Sequence, residues 1–294
     1  MRDRLLRVQE LLGQGQGLSA LRLAEEAARS APELASLHRV RAQCLAGLGR
    51  FADAMAAIDD ELRRDPGSVE ALDIRARIVG RMQDEEAEAR LPRRWQTSVS
   101  KEMFETIERS AHRYTYRGYP LIKNPFDMAL YSLLLWNLKP ATIFEIGSYN
   151  GASALWMTDM LAAYGADAHV HSLDVVKVSG IEHPRITFHE GSGRNLSQVF
   201  PAQMIESCQR PFLVIDDADH AYETSKAVLD HFHPHMRTDE YFVVEDGLSA
   251  PGPRQALTEF LPAHADEWKV DSHYCDFFGY NATWCLNGFL RRVA

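Results

Sequence analysis

A chain of 294 residues is long enough for two ordinary domains. Its composition, with 46% hydrophobic and 25% charged residues, excludes wholesale disorder. Residues 1–94 carry no net charge, so the whole net charge of −9 lies in residues 95–294, which makes nucleic acid a poor partner. There is no apolar run long enough for a membrane span, no secretory-signal pattern and no paired cysteine motif. We therefore expect a cytoplasmic protein.

The first eighty residues repeat with a period of 34. Five residues recur at that interval: Leu11, Gly13, Gly15, Ala20 and Pro32 return as Leu45, Gly47, Gly49, Ala54 and Pro66. This pattern resembles about two tetratricopeptide helix–turn–helix units plus one helix, over residues 2–82. We expect an all-helical domain with a connector around Pro92, together 1–94, that packs in a homo-oligomer or on its neighbour. Binding of a protein partner is the alternative.

From residue 99 onward, short apolar runs alternate with amphipathic stretches. The buried runs predict five strands near 141–147, 169–175, 185–191, 211–217 and 240–247, with helices between them. Residues 268–292 predict an antiparallel strand pair at one edge. The fold class expected for 95–294 is therefore α/β, a doubly wound and mainly parallel sheet that binds ligands at the carboxyl ends of its strands.

The first predicted strand opens into a glycine loop. The loop lacks the Gly-Lys-Ser/Thr of a phosphate loop and the G-x-G-x-x-G of a dinucleotide site. Gly147 allows the backbone to pass close to a bulky ligand, and Gly151 begins the next helix without a side-chain obstacle. An ordinary glycine-rich turn remains the alternative from the loop alone. The loop consists of Glu145, Ile146, Gly147, Ser148, Tyr149, Asn150, Gly151, Ala152 and Ser153.

An acidic residue two before G-x-x-x-G resembles motif I of class I S-adenosylmethionine-dependent methyltransferases. The resemblance implies that Glu145 lies near the methionine ammonium group of this cofactor. It also implies that the loop from Gly147 to Gly151 and Ser153 bind polar groups of the cofactor. Asp174 ends the second predicted strand, where its carboxylate is placed to accept hydrogen bonds from both ribose hydroxyls.

Carboxylates also follow two further strands. The fourth predicted strand ends in Asp216-Asp217-Ala218-Asp219-His220, and the fifth ends in Glu245-Asp246-Gly247. In a parallel sheet these ends lie at the same edge as the glycine loop. Clustered carboxylates repel one another unless a cation or protons offset the charge, and hard oxygen ligands select Mg²⁺, Ca²⁺ or Mn²⁺.

These motifs, together with the run Tyr116 to Asp127 and the terminal NGFLRR, resemble in order the cephalosporin hydroxylase-like family over about 112–293. That family has a class I methyltransferase fold and includes macrolide-sugar and rhamnosyl O-methyltransferases. The resemblance implies Asp217, Glu245 and Asp246 as metal ligands and His220 as general base. Ser192 stands in Gly-Ser-Gly where relatives have Gly-Asp-Ser, and is implied on the adenine side.

The sequence therefore predicts an O-methyltransferase that depends on S-adenosylmethionine and on Mg²⁺ or another hard divalent cation. In this hypothesis Asp217 and His220 are catalytic, and the small-molecule or glycan acceptor is methylated on a sugar hydroxyl of a polysaccharide or glycosylated natural product. The same metal chemistry serves a catechol-type acceptor. A third alternative is a non-catalytic scaffold that binds the cofactor and recruits partners through the helical repeats.

Overall fold

The computed structural model describes residues 2–31, 34, 36–89 and 93–294, with the backbone alone for Arg2 and 83–89. Pro32 and Pro92 lie outside the described residues. The chain divides into two compact units, 1–93 and 94–294. In the described part of the chain, no helix is both long and apolar enough to cross a membrane.

The first unit is helical, and each helix packs against the next. The repeat seen in the sequence is visible in its turns, because Gly15 and Gly49 adopt left-handed φ values of 72° and 70° between successive helices. Ala20 and Ala54, also 34 residues apart, are fully buried where the helices approach closely. The helices are α1 (Arg2–Gly13), α2 (Gly17–Ser30), α3 (Leu37–Gly47), α4 (Phe51–Arg64) and α5 (Val69–Ala89).

The second unit alternates strands and helices. Its strands are β1 (Thr115–Tyr116), β2 (Tyr119–Pro120), β3 (Thr142–Ile146), β4 (His169–Asp174), β5 (Ile186–Glu190), β6 (Phe212–Asp216), β7 (Tyr241–Val244), β8 (Trp268–Val270) and β9 (Phe289–Arg292). Its helices are α6 (Lys101–Ala111), α7 (Pro125–Leu138), α8 (Ala152–Ala163), α9 (Leu196–Val199), α10 (Ala202–Ser207), α11 (Tyr222–Phe232), α12 (Pro251–Ala263) and α13 (Ser272–Cys275).

Seven of these strands form one sheet in the order β5-β4-β3-β6-β7-β9-β8. The five strands from β5 to β7 are parallel, as their continuous apolar runs predicted, whereas β9 pairs antiparallel with both of its neighbours. The doubly wound α/β fold and the antiparallel pair at one edge are thus confirmed. Because β4 and β6 flank β3, the carboxyl ends of all three strands meet at the centre of one edge.

Helix α7 carries a buried carboxylate that holds the C-terminal segment against it. Asn124 caps the helix by accepting a hydrogen bond from the Phe126 amide at 3.0 Å. Asp127, fully buried one turn later, accepts hydrogen bonds from the Thr283 hydroxyl and, at 3.0 Å, from the Trp284 amide. Burial raises the pKa of Asp127 to about 7. These bonds hold the segment at Thr283 and Trp284 against the first turn of α7.

Candidate active site

The glycine loop and the loop after β6 are packed backbone to backbone. The Asp217 amide donates to the carbonyl of Ile146 at 2.8 Å. A Cβ on Gly147, which has φ of 109°, would lie 1.8 Å from the carbonyl oxygen of Asp217. At Gly151 a Cβ would come within 2.7 Å of the Phe188 ring. The neighbouring protein backbone therefore requires glycine at 147, and the close approach of a bulky ligand there stays a prediction.

Glu145 is fully buried at the end of β3. Its Oε2 accepts a hydrogen bond from the Ser172 hydroxyl on β4, and Ser172 also pairs with the Ser148 hydroxyl at 2.6 Å. Its Oε1 has no hydrogen-bond partner among the described residues. Burial raises the pKa of Glu145, while the hydroxyls of Ser153 and Ser172 lower it. One buried carboxylate oxygen is thus left without a hydrogen bond from the described part of the chain.

Asp174 closes the glycine loop from the neighbouring strand. Its Oδ2 accepts a hydrogen bond of 2.7 Å from the amide of Tyr149, which has φ of 47° and an exposed side chain. Asn150 donates to the Pro120 carbonyl at 2.8 Å and accepts from the Ala152 amide at the start of α8. Asp174 and the loop residues are therefore one hydrogen-bonded unit.

Ser192 lies apart from that unit. It is exposed in the loop that follows β5, and its hydroxyl accepts a hydrogen bond from the Arg194 amide at 3.2 Å. Its place after β5 keeps it at the carboxyl edge of the sheet. The implied contact with the adenine side of a cofactor stays a prediction.

Three of the predicted catalytic and metal-binding residues converge. One ligand atom from each of Asp217, His220 and Asp246 lies within 4.8 Å of the others. His220 Nδ1 is 3.4 Å from Asp246 Oδ2, and the Ser249 hydroxyl donates to the other oxygen of Asp246 at 3.2 Å. Burial raises the pKa of Asp217 to about 6, with a further rise from the charge of Asp246. Such a cluster attracts a cation.

Glu245 is buried beside this cluster and has partners that the sequence analysis missed. Its Oε1 accepts hydrogen bonds from the ammonium group of Lys123 and, at 2.5 Å, from the Tyr131 hydroxyl. The same ammonium group contacts Asp217 Oδ2 at 2.5 Å. Asp127 and Tyr131 are four residues apart in α7, which is the sequence signal for polar groups on one face of this helix, whereas Lys123 lies before the helix.

The site thus combines a glycine loop, a carboxylate at the end of the next strand and an acidic cluster with a histidine. On a doubly wound sheet, this combination defines a class I methyltransferase. Residues 108–293 match the family model Rhamnosyl O-methyltransferase/CmcI. The chain belongs to this family and is an S-adenosylmethionine-dependent O-methyltransferase.

Curated relatives agree with this assignment. The chain is 25% identical over 193 residues to rhamnosyl O-methyltransferase from Mycobacterium tuberculosis strain H37Rv, a match of 60% of this chain and 78% of that protein. It is also 25% identical over 199 residues to rhamnosyl O-methyltransferase from Mycobacterium leprae, a match of 60% of this chain and 82% of that protein.

Solved structures of CmcI have the same fold as the second unit. CmcI with Mg and SAM is 28% identical, with a TM-score of 0.53, over 62% of this chain and 78% of that chain. CmcI with SAH is 26% identical, with a TM-score of 0.50, over 71% of this chain and 91% of that chain.

Gly147→Ala tests the backbone contact at the site, with Gly165→Ala as the control. Both glycines have positive φ, but a Cβ on Gly165 meets nothing within 4 Å. We expect Gly165→Ala to lower the free energy of unfolding by about 1–2 kcal/mol from strain alone. Gly147→Ala adds a backbone clash, so its loss should exceed about 3 kcal/mol. All five tryptophans lie in residues 95–294, so urea unfolding followed by fluorescence measures this unit. Equal losses of unfolding free energy in the two variants would contradict the backbone contact between Gly147 and Asp217.

Proposed function

We propose that this chain transfers the methyl group of S-adenosylmethionine to a sugar hydroxyl, with Mg²⁺ bound at the strand-end carboxylates. The observation that carries this proposal is the convergence of Asp217, His220 and Asp246 next to the glycine loop. A purely structural loop has no need for clustered carboxylates, here Asp217 and Asp246, whose pKa is raised by burial and by the charge of a neighbouring carboxylate.

The donor is assigned to the unit formed by Glu145, the glycine loop and Asp174. The buried oxygen Oε1 of Glu145 suits an ammonium group, since it lacks a hydrogen bond among the described residues. Asp174 is held at the start of the loop by the Tyr149 amide, which leaves its carboxylate beside the loop for ribose hydroxyls. Ser153, near the start of α8, borders the same region.

The divalent ion is assigned to Asp217, Glu245 and Asp246. These carboxylates follow the neighbouring parallel strands β6 and β7, and hard oxygen ligands suit Mg²⁺. When bound, this ion supplies Lewis-acid chemistry that lowers the pKa of the acceptor hydroxyl. His220 lies beside Asp246 and takes the proton from that hydroxyl, while the Asp246 carboxylate stabilises the charged imidazole.

A sugar-containing acceptor is favoured by two observations. The curated relatives are named rhamnosyl O-methyltransferases. In addition, Phe277 and Phe278 are about half exposed, and the Phe278 ring stacks on Phe126 with centroids 5.1 Å apart. Phe126 is three residues from Lys123, which contacts Asp217 and Glu245. Exposed aromatic faces pack well against the C–H face of a sugar ring.

A homo-oligomer, a protein partner at the helical repeats and a cytoplasmic location stay predictions.

Asp174→Ala tests the donor assignment. We expect S-adenosylmethionine to bind at least tenfold more weakly, because a hydrogen bond to a charged group contributes about 1.5–3 kcal/mol. Asp167→Ala is the matched control, since Asp167 is exposed and precedes the opposite end of the same strand. Isothermal titration of both variants gives the comparison. Unchanged affinity in Asp174→Ala would remove this residue from the donor site.

Removal of the divalent ion tests the metal assignment. We expect EDTA to abolish methyl transfer to a sugar acceptor and added Mg²⁺ to restore it, because the acceptor hydroxyl then loses its Lewis acid. Binding of S-adenosylhomocysteine should persist in EDTA, since the donor residues lie on other loops. A panel of sugar and catechol acceptors with a labelled donor also identifies the acceptor class. Full activity in EDTA would refute the metal role.

His220→Ala tests the general base. Turnover should fall about 10²–10⁴-fold, the usual contribution of a positioned base. Because His220 is 3.4 Å from Asp246, the variant must also be tested for ion binding. We expect its Mg²⁺ affinity to stay within threefold of the wild type, since Mg²⁺ prefers oxygen ligands. A parallel loss of Mg²⁺ affinity and turnover would make His220 a ligand instead.

A further inference from the structure

Lys123 is a buried cation beside the strand-end carboxylates of the site. It immediately precedes Asn124, the N-cap of α7, and its side chain is 5% exposed. The chain has six lysines, all within its described part, and Lys123 alone among them is buried. A buried ammonium group is costly unless it is paired, so its partners explain why it is tolerated there.

Those partners are two of the three carboxylates assigned to the divalent ion. Lys123 Nζ contacts Asp217 Oδ2 at 2.5 Å and also Glu245 Oε1. The Tyr131 hydroxyl donates to the same Glu245 oxygen, and its ring centroid is 5.7 Å from Nζ. One positive charge therefore offsets two carboxylates that would otherwise repel each other.

Asp217 belongs to two groups at once. It pairs with Lys123, and it also forms the cluster with His220 and Asp246. A divalent cation that takes Asp217 and Glu245 as ligands must lie close to the Lys123 ammonium group, which contacts the same two carboxylates. Two positive charges close together repel strongly where little water screens them. The ammonium group and the ion therefore weaken each other's binding to these two carboxylates.

We propose that Lys123 competes with the divalent ion for Asp217 and Glu245 and thereby sets the ion affinity of the site. The proposal rests on the metal assignment in the proposed function. Lys123 is a positioning residue in this account: it holds the two carboxylates in place, and it keeps ion binding weak enough for exchange. Its removal should strengthen ion binding, the reverse of what the loss of a ligand does.

The test measures Mn²⁺ binding to the full chain by electron paramagnetic resonance, with Mg²⁺ as competitor and at mildly alkaline pH. Lys123→Met and Lys123→Gln should both bind Mn²⁺ at least tenfold more tightly than the wild type, since each removes one positive charge beside two carboxylates. Lys123→Arg keeps the charge and should stay within threefold. Lys269→Met, at an exposed position on β8, controls for the loss of any lysine.

Failure of the competition and failure of the metal assignment give different results in this experiment. If the wild type binds Mn²⁺ and neither neutral variant binds it more tightly, the competition is refuted and the metal site stands. If no protein binds Mn²⁺ or Mg²⁺, both the metal assignment and the inference fail. Circular dichroism confirms that each variant is folded.

A measurement on the wild type needs no variant to fold. With ¹⁵N-lysine labelling, six ammonium groups are present, and the buried one exchanges its protons most slowly. We expect Mg²⁺ to shift this resonance with the same midpoint as calorimetric binding, and to leave the exposed lysines unchanged. Calorimetric Mg²⁺ binding without any shift of the buried resonance would overturn the proposal.

Discussion

Burial of negative charge at one sheet edge is the constraint on which the rest of the site depends. At the ends of β3, β6 and β7, Glu145 and Glu245 are buried and Asp217 is partly buried, and this burial raises the pKa of each. Such a group of carboxylates is stable only with compensating partners. Lys123 supplies a positive charge, whereas the hydroxyl groups of Tyr131 and Ser172 supply hydrogen bonds.

The two halves of the site meet this constraint differently. On the proposed donor side, polar groups hold one another: the Tyr149 amide binds Asp174, and Ser172 bonds both Ser148 and Glu145. At the proposed ion site, Asp217 and Glu245 instead contact the positive charge of Lys123. This difference explains why donor binding and ion binding are expected to respond separately to mutation, although both sites lie at the same edge of one sheet.

The sequence predicted those features that local pattern determines. The apolar runs gave the parallel strands, and the residues just after them gave Asp174, Asp217 and Asp246, because strand ends meet at one edge. Lys123 was missed because its partners lie 94 and 122 residues further along the chain, and no local pattern reports such a pair. Gly147 also has a tertiary reason to be glycine that no local pattern could predict, the close approach of the Asp217 backbone.

That contact between Gly147 and Asp217 sets the spacing between the glycine loop and the acidic cluster. The carbonyl of Asp217 passes so close to Gly147 that no side chain fits between them, and the Asp217 amide is bonded to Ile146. The glycine loop and the loop that carries Asp217 are therefore in direct main-chain contact. In the proposed function, the distance that the methyl group crosses between donor and acceptor is therefore set by main-chain contacts, and changes of side chain near the acceptor leave it unchanged.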